Sequence, residues 1–368
     1  MEAPLPADSW SGAHDNDTER GRGMPLRCAV AGLNRGAGFV ERFKSNPECE
    51  LVAVCDARPE KLAEYPDVQG FEDFDQMLEE AALDIVAIIT PGPLHGPQSL
   101  AAMEAGAHVL VETPNVYSTE EAKAIVELAR ERDLRYMLAE DYVYMGWCGR
   151  LAEYVAAGAL GEIIGAMAEY THDCRPVKPL SAVNETQAQA WRFTDLPPLA
   201  YASHTLGPLL HLMEDRCVSV TGIVGGRQEI AGVDVFPLET AVLETEGGCT
   251  INLTNGFMLS HPFIWMAALY GTEGSVRVIN TDYRDPNALR VLIATDDDPQ
   301  WRDWEMEWHA RDDGQEHVQA LVNDFVDSVL SSRPAPFDEA RSMDFCLPGV
   351  LAHDSAKQGG VKLEVPLF

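Results

Sequence analysis

From Leu26 to about Leu138 the chain alternates short apolar runs with longer segments whose apolar residues recur at helical spacing. The runs are RCAVAGL (27–33), ELVAVCD (50–56), DIVAIITP (84–91), HVLVETP (108–114) and RYMLAE (135–140). HGPQSLAAMEAG and STEEAKAIVELARERD separate the last three, and further helices are expected from about Pro59 and around Phe74 to Ala82. Ser118 with Glu121 three residues on has the spacing of a capping box, which starts the helix after HVLVETP. Strands alternating with helices of this length predict βαβ units, a parallel sheet and right-handed crossovers.

After Glu140 the pattern changes. A helix over about Gly146 to Ala157 ends at glycines, and a long strand follows over 162–173. The polar stretch NETQAQAWRFTD leads to a helical patch, YASHTLGPLLHLM, in which Gly207-Pro208 is expected within the first turn, where backbone amides have no intrahelical partner. Successive strands with glycine-rich turns come next, and two helices, EHVQALVNDFVDSVLSS and ARSMDFCLPGVLAHDSA, close the chain. Strands in sequence imply a mostly antiparallel sheet. The expected architecture is therefore an α/β Rossmann-type domain with a parallel sheet (25–145), then an α+β domain with a large, mostly antiparallel open-faced sheet (146–368), whose closing helices are free to pack back on the first domain. There is no internal repeat.

Composition narrows the function. A chain of 368 residues, 46% hydrophobic, is long enough for two cores, and no apolar run reaches membrane-spanning length. Residues 1–24 have neither the basic start nor the apolar centre of a secretory signal and are expected to be a disordered acidic leader. Eight scattered cysteines without a C-x-x-C pair point to a reducing cytoplasm and no structural zinc. The net charge of -32, from 27 basic and 59 acidic residues, argues against nucleic acid as a partner. Only six of the basic residues are lysine, a balance that suits solvation in concentrated salt, where self-repulsion is screened, and that equally fits a merely acidic, arginine-preferring proteome.

Candidate chemistry begins at the first strand. It ends in AVAGLNRGAGF, a turn containing Gly32, Asn34, Arg35 and Gly36, and the second strand ends in Asp56, 24 residues beyond Gly32. A glycine turn at a helix N-terminus lets backbone amides approach a pyrophosphate, and an acid at the next strand's end accepts from the adenosine ribose. Asp56 favours NAD over NADP, with Arg58 as a counterweight. Laid on G-x-G-x-x-G/A from Gly32, the middle glycine is replaced by Asn34 and the last position is Ala37. Glu112 and Thr113 end a further strand, where an open α/β sheet holds its ligand.

These residues, with VCDARPEKL, ITPGPLHGPQSLAAMEAGAHVLVETP and the change of pattern after them, resemble the Gfo/Idh/MocA family, named for glucose-fructose oxidoreductase and inositol dehydrogenase. The resemblance implies an N-terminal NAD(P)-binding domain, a sugar or polyol substrate, and a homo-oligomer paired through the open sheet face. By that resemblance Thr90, Pro91 and His95 match the cofactor loop, and Glu112-Thr113-Pro114 matches an E-K-P motif with threonine at the lysine. The family's acid four residues before a histidine is Ala200 here, before His204, with Tyr201 between them. ETP, AEDYVYM, GEIIGAMAEYTHDCR and YASHTLGP are similar to the NAD-dependent α-N-acetylgalactosaminidases, which have E-V-P and Y-x-x-H-x-L-G-P. In that branch a sugar carbon is transiently oxidised, the adjacent C–H is removed by a base, the C1 group leaves, water adds and the hydride returns.

The resulting expectation is an NAD-dependent enzyme acting on a sugar or sugar derivative, by net oxidation-reduction or by transient oxidation. His204 and Tyr201, with Tyr170 and His172 on one face of the long strand, are the candidate acid and base groups. Tyr170 and His172 equally fit a cross-strand packing cluster, and His211 is expected to be structural. His172-Asp173-Cys174 is not expected to bind metal, because alternation sends Asp173 to the opposite face. Trp301, Trp304 and Trp308 fit a carbohydrate cleft, a subunit contact or edge packing. A non-enzymatic member that kept the fold is the rival, favoured by Thr113, Ala200 and Asn34.

Overall fold

The computed structural model describes residues 24–173, 196–226, 228–230, 233–259, 263–282, 285, 288–304 and 316–368. The expectations for the leader before Met24, for all of NETQAQAWRFTD, for Cys174 and for Trp308 lie outside the described residues.

The first apolar runs form six strands: β1 (Leu26–Ala31), β2 (Cys49–Cys55), β3 (Gln69–Phe71), β4 (Ile85–Ile88), β5 (His108–Val111) and β6 (Tyr136–Leu138). They make one parallel sheet in the order β3-β2-β1-β4-β5-β6. Between them run α1 (Ala37–Ser45), α2 (Pro59–Leu62), α3 (Phe74–Glu80), α4 (His95–Glu104) and α5 (Thr119–Glu131). Every residue of β4 is fully buried, as a strand covered by helices on both faces must be. The Ser118 hydroxyl accepts from the Glu121 amide at 3.1 Å, while the Glu121 carboxylate reaches the amide of Tyr117 at 2.7 Å, one residue before the cap. The three-residue edge strand β3 lacks the apolar run that marks its neighbours. The strand order reverses between β1 and β4, which opens a crevice at their carboxyl ends.

The second half contains α6 (Gly146–Ala156), β7 (Ile163–Thr171), α7 (Ser203–Met213), β8 (Cys217–Gly225), β9 (Gln228–Ile230), β10 (Val233–Val235), β11 (Leu238–Thr245), β12 (Thr250–Gly256), β13 (Ile264–Gly271), β14 (Gly274–Asn280), β15 (Leu289–Thr295), β16 (Asp298–Asp303), α8 (Glu316–Ser331), α9 (Glu339–Lys357) and β17 (Leu363–Glu364). Nine strands form one sheet, ordered β16-β15-β14-β13-β7-β12-β11-β8-β17, and β9 pairs with β10. Every pair in the large sheet is antiparallel except β7 with β12. Along β11, Glu239, Ala241, Leu243 and Thr245 are buried and Thr240, Val242 and Glu244 are exposed, so helices cover one face of the sheet and the other is open. The exposed strand β16 was not foreseen. Its DPQWRD sequence lacks alternation, and backbone pairing with β15 forms it.

One expectation is corrected here. Pro208 lies past the first turn, because α7 begins at Ser203 and the proline is its sixth residue. It can donate nothing to the carbonyl of His204, four residues back, and the Trp265 indole N–H fills that place at 3.0 Å. The closing helices tie the halves together. Ser45, the last residue of α1, and Asn46 after it donate to Gln319 and Asn323 of α8, and α9 packs on β8, α7, α5 and β6.

Candidate functional site

The site lies where the carboxyl ends of the parallel strands meet α7. Gly32 has φ +87°, and a Cβ there would lie 2.4 Å from the Ile89 carbonyl oxygen, so the glycine turn presses against the end of β4. At Gly36, which precedes α1, a Cβ would come within 2.1 Å of the Gly32 carbonyl. Tight packing thus falls on Gly32 and Gly36, whereas Asn34 is exposed and crowds neither. The Asp56 carboxylate accepts from the Leu33 amide at 2.9 Å and is gripped by the Arg58 guanidinium at 2.9 and 3.0 Å. Burial opposes its ionisation, but these donors outweigh burial and hold it below the usual carboxylate range.

Thr90 hydrogen bonds to Gln98 at 2.6 Å, and Pro91 precedes the 3-10 turn Gly92–Leu94. His95, matched to the cofactor loop by resemblance, has both ring nitrogens against carbonyl oxygens, those of Pro114 at 2.8 Å and Thr90 at 2.7 Å, and is 1% exposed. Burial lowers its proton affinity. The ring clips the loop after β4 to the loop after β5.

Glu112 accepts from the Thr113 amide at 2.8 Å and from Arg35 at 3.0 Å. Arg35 leaves the glycine turn and also reaches Asp141 at 3.2 Å, linking three strand ends; Glu112 first, then Asp141, strengthens its hold on its proton. Thr113 is 4% exposed, and its hydroxyl hydrogen bonds to the Ser203 hydroxyl with the Cys346 sulfur 3.8 Å away. Thr113 therefore fastens β5 to the start of α7.

On the other side, His204 Nδ1 lies 2.9 and 3.1 Å from the two oxygens of Glu140, and Nε2 lies 3.0 Å from the Tyr201 hydroxyl. The His204 ring stacks on Tyr142 at 4.8 Å, and Tyr170 stands edge-on to it at 6.1 Å. Tyr170 in turn stacks on Tyr201 at 5.9 Å and meets His172 at 5.0 Å, with Phe257 and Phe263 against His172. The structure thus brings all four predicted acid–base candidates into one wall. Trp304, by contrast, packs on Tyr154, and the Arg277 guanidinium lies over Trp301.

Glu140, Asp141 and His317 were missed by sequence reasoning. Glu140 lies just past the end of β6 as Glu112 lies just past the end of β5, so the rule that picked out one applied equally to the other. It is fully buried, and Gly207 makes room for it, since a Cβ there would lie 2.8 Å from Glu140 Cγ. A carboxylate thereby reaches His204 from beyond the end of β6, although position 200 holds alanine. His317, in the first turn of α8, reaches Asp141 at 3.5 Å and has no local signal in the sequence. Burial raises Asp141, but His317, His204 and Arg35 together drive it well below the usual range. Burial disfavours a charged His204 ring, and the Glu140 carboxylate outweighs it, so His204 holds its proton well above the ordinary histidine value. Donor atoms of Glu140, Asp141 and His204 lie within 4.8 Å of one another, the one set among the described residues spaced to hold a cation. Here the Nδ1–carboxylate hydrogen bond uses that space. Glu140, His204 and Tyr201 form a chain ending at the partly exposed tyrosine, able to carry a proton between substrate and a buried pair.

Residues 26–140 match the family model described as GFO_IDH_MocA, oxidoreductase family, NAD-binding Rossmann fold. A glycosyl hydrolase family 109 protein of Streptomyces filamentosus is 26% identical across 94% of this chain and 78% of that relative. An alpha-N-acetylgalactosaminidase of Bacteroides fragilis is 23% identical across 93% of this chain and 92% of the relative. The structure of myo-inositol 2-dehydrogenase from Lactobacillus plantarum superposes with a TM-score of 0.72 at 19% identity, covering 93% of this chain and all of the other, a likeness of fold.

Proposed function

We propose, from the premise that this chain is built on the NAD-binding Rossmann domain of the Gfo/Idh/MocA oxidoreductases, that it is an NAD-dependent enzyme acting on a sugar or sugar derivative. The observation that carries the reading is the Glu140–His204–Tyr201 chain, set beside Glu112-Thr113-Pro114 at the crevice. An inert member of the fold has no need of a buried carboxylate aligned on an imidazole and a tyrosine hydroxyl.

The residues suit a dinucleotide. Gly32, Asn34 and Gly36 would face the pyrophosphate, Asp56 the adenosine ribose, and Thr90, Pro91 and Glu112–Pro114 the nicotinamide half, with Arg35 across the crevice. Asp56 favours NAD, and its bidentate hold on Arg58 keeps that cation from a 2'-phosphate. Bound NAD supplies the hydride acceptor and donor. The chain's own residues handle protons. With the His204 ring neutral, Tyr201 O–H donates to Nε2, and as the tyrosine oxygen takes a substrate proton its own passes to the ring. With the ring charged, Nε2–H donates to the same oxygen, so one contact serves both directions, and Glu140 holds Nδ1 throughout. Tyr170 and His172 form the wall against which the sugar packs.

Redox-neutral glycoside cleavage is the second reading, favoured by Thr113. It carries no charge, and its hydroxyl is committed to Ser203, so nothing there replaces a lysine, whereas the Glu140–His204–Tyr201 chain would serve as the base for the C–H beside a transient ketone. The similarity to the alpha-N-acetylgalactosaminidase supports it. Further parts of the proposal are a boundary between folding units at 145/146, a cytoplasmic location, a high-salt setting, and a homo-oligomer paired through the open face of the nine-stranded sheet. No described helix is long and apolar enough to cross a membrane.

The test is dinucleotide titration followed by solvent deuterium incorporation at the carbon beside the oxidised one, on aryl glycosides and free sugars. NAD(H) should bind more tightly than NADP(H), and His204→Ala should abolish exchange while NAD still binds. Tighter NADP(H) would overturn the NAD preference, glycoside turnover without exchange would sink the cleavage reading, and binding of neither dinucleotide would sink the proposal.

A further inference from the structure

Tyr201 sits on a short turn, and a second carboxylate–imidazole pair, with its carboxylate buried, grips that turn from the sheet side. Pro198–Tyr201 form one 3-10 turn running into α7. Glu239 on β11 is fully buried. One of its oxygens accepts the Leu199 amide at 3.0 Å, and the other lies 2.6 Å from His353 Nδ1 on α9. Asn255 on β12 donates to the Pro198 carbonyl at 2.9 Å. α9 also presses on the turn through Gly349, where a Cβ would lie 2.2 Å from the Leu199 carbonyl oxygen. Two strands and a helix therefore fix consecutive backbone groups of the turn, and two residues later the Tyr201 hydroxyl meets His204 Nε2.

A carboxylate without solvent is costly unless both its oxygens are satisfied, and removal of one partner exposes that cost. Glu239 is satisfied only while the turn and α9 stay where they are, so the pair registers the position of Tyr201. We propose that Glu239 and His353 are positioning residues for the reaction, holding the Pro198–Tyr201 turn so that the tyrosine hydroxyl remains within hydrogen-bond reach of His204. The inference rests on Tyr201 and His204 being the reacting pair, and its test is chosen to need no substrate.

Imidazole nitrogen signals of the full chain, labelled at histidine, are recorded for the parent protein, Glu239→Ala, Glu239→Gln and His353→Ala, with His204 assigned through His204→Gln. In Glu239→Ala and His353→Ala the His204 Nε2 signal should move while that of His95, in the parallel-sheet loops, stays in place. Glutamine keeps an oxygen for the Leu199 amide and should restore the parent signal. Where turnover is measurable, kcat should fall on the order of 10²-fold in the alanine variants, the cost of misplacing a reacting group by about 1 Å, with NAD affinity unchanged. Should Glu239→Ala fail to fold, His353→Ala decides by the same signal. An unmoved His204 signal in a folded alanine variant overturns the proposal, as does a shift shared equally by His95. A parent protein without turnover counts against the proposed function alone, because the ring signals still report on the turn.

Discussion

Glu140 and His204 set each other's protonation, and the sign of their effect on pH dependence follows from the geometry. The proton affinity of His204 is raised in the folded chain, so its stabilisation is fully present below the unfolded value of about 6.5 and is lost as pH rises through the raised value. Burial also raises Glu140, so the two titrate as one unit. Glu140→Gln removes the carboxylate that outweighs burial, and the His204 midpoint in an NMR titration should drop. The limb of the pH–activity profile that His204 sets should move down in pH with it, with kcat/KM reduced about 10²- to 10⁴-fold. An unchanged midpoint would show that the carboxylate is not what holds the ring's proton. At the same scale Thr113 illustrates a residue whose chemistry is decided by its neighbour: a hydroxyl bonded to Ser203 is a fastener, whatever its motif position.

At the scale of elements, α7 carries His204 and contains a proline that interrupts the helix's hydrogen bonding at that residue. The Trp265 indole from β13 repairs the gap. Trp265→Phe should leave the buried His204 carbonyl without a donor and cost about 1–3 kcal/mol in denaturant unfolding. Pro208→Ala returns a backbone N–H to that carbonyl, so the double variant should recover part of the loss. A strictly additive pair of effects would mean that the indole acts through packing alone. The strand and helix pattern of the first half was legible because buried parallel strands read as apolar runs and amphipathic helices repeat every third or fourth residue. β3 and β16 were not, since pairing with a neighbour makes them strands and their own side chains carry no such signal.

Over the whole molecule, 59 acids against 27 bases leave a chain that repels itself at low ionic strength. Screening should relieve that repulsion, so the melting temperature should rise as potassium chloride goes from low to molar concentration, read by calorimetry or circular dichroism. A flat or falling response would remove the high-salt reading. Closing helices also bind the two sheets: α8 bonds to the end of α1 and supplies His317 to Asp141, and α9 spans β8, α5 and β6. A site built between sheets in this way depends on the chain's last third for contacts to strand ends formed by its first third.

The order of most strands and helices, the glycine turn at Gly32 and Gly36, the acid at Asp56, and the nearness of Tyr201 to His204 were determined by the sequence, because each is a local matter of periodicity, steric room or a three-residue separation along the chain. The acid partner of His204, the clip made by His95, the fastening of Thr113, the bridge of Arg35 and the grip of Glu239 on the Tyr201 turn were decided only by the tertiary structure. The physical reason is common to them. A buried polar group must find a partner, and which partner comes within 3 Å depends on how strand ends and helices from distant parts of the chain are packed together, a matter that no short stretch of residues encodes.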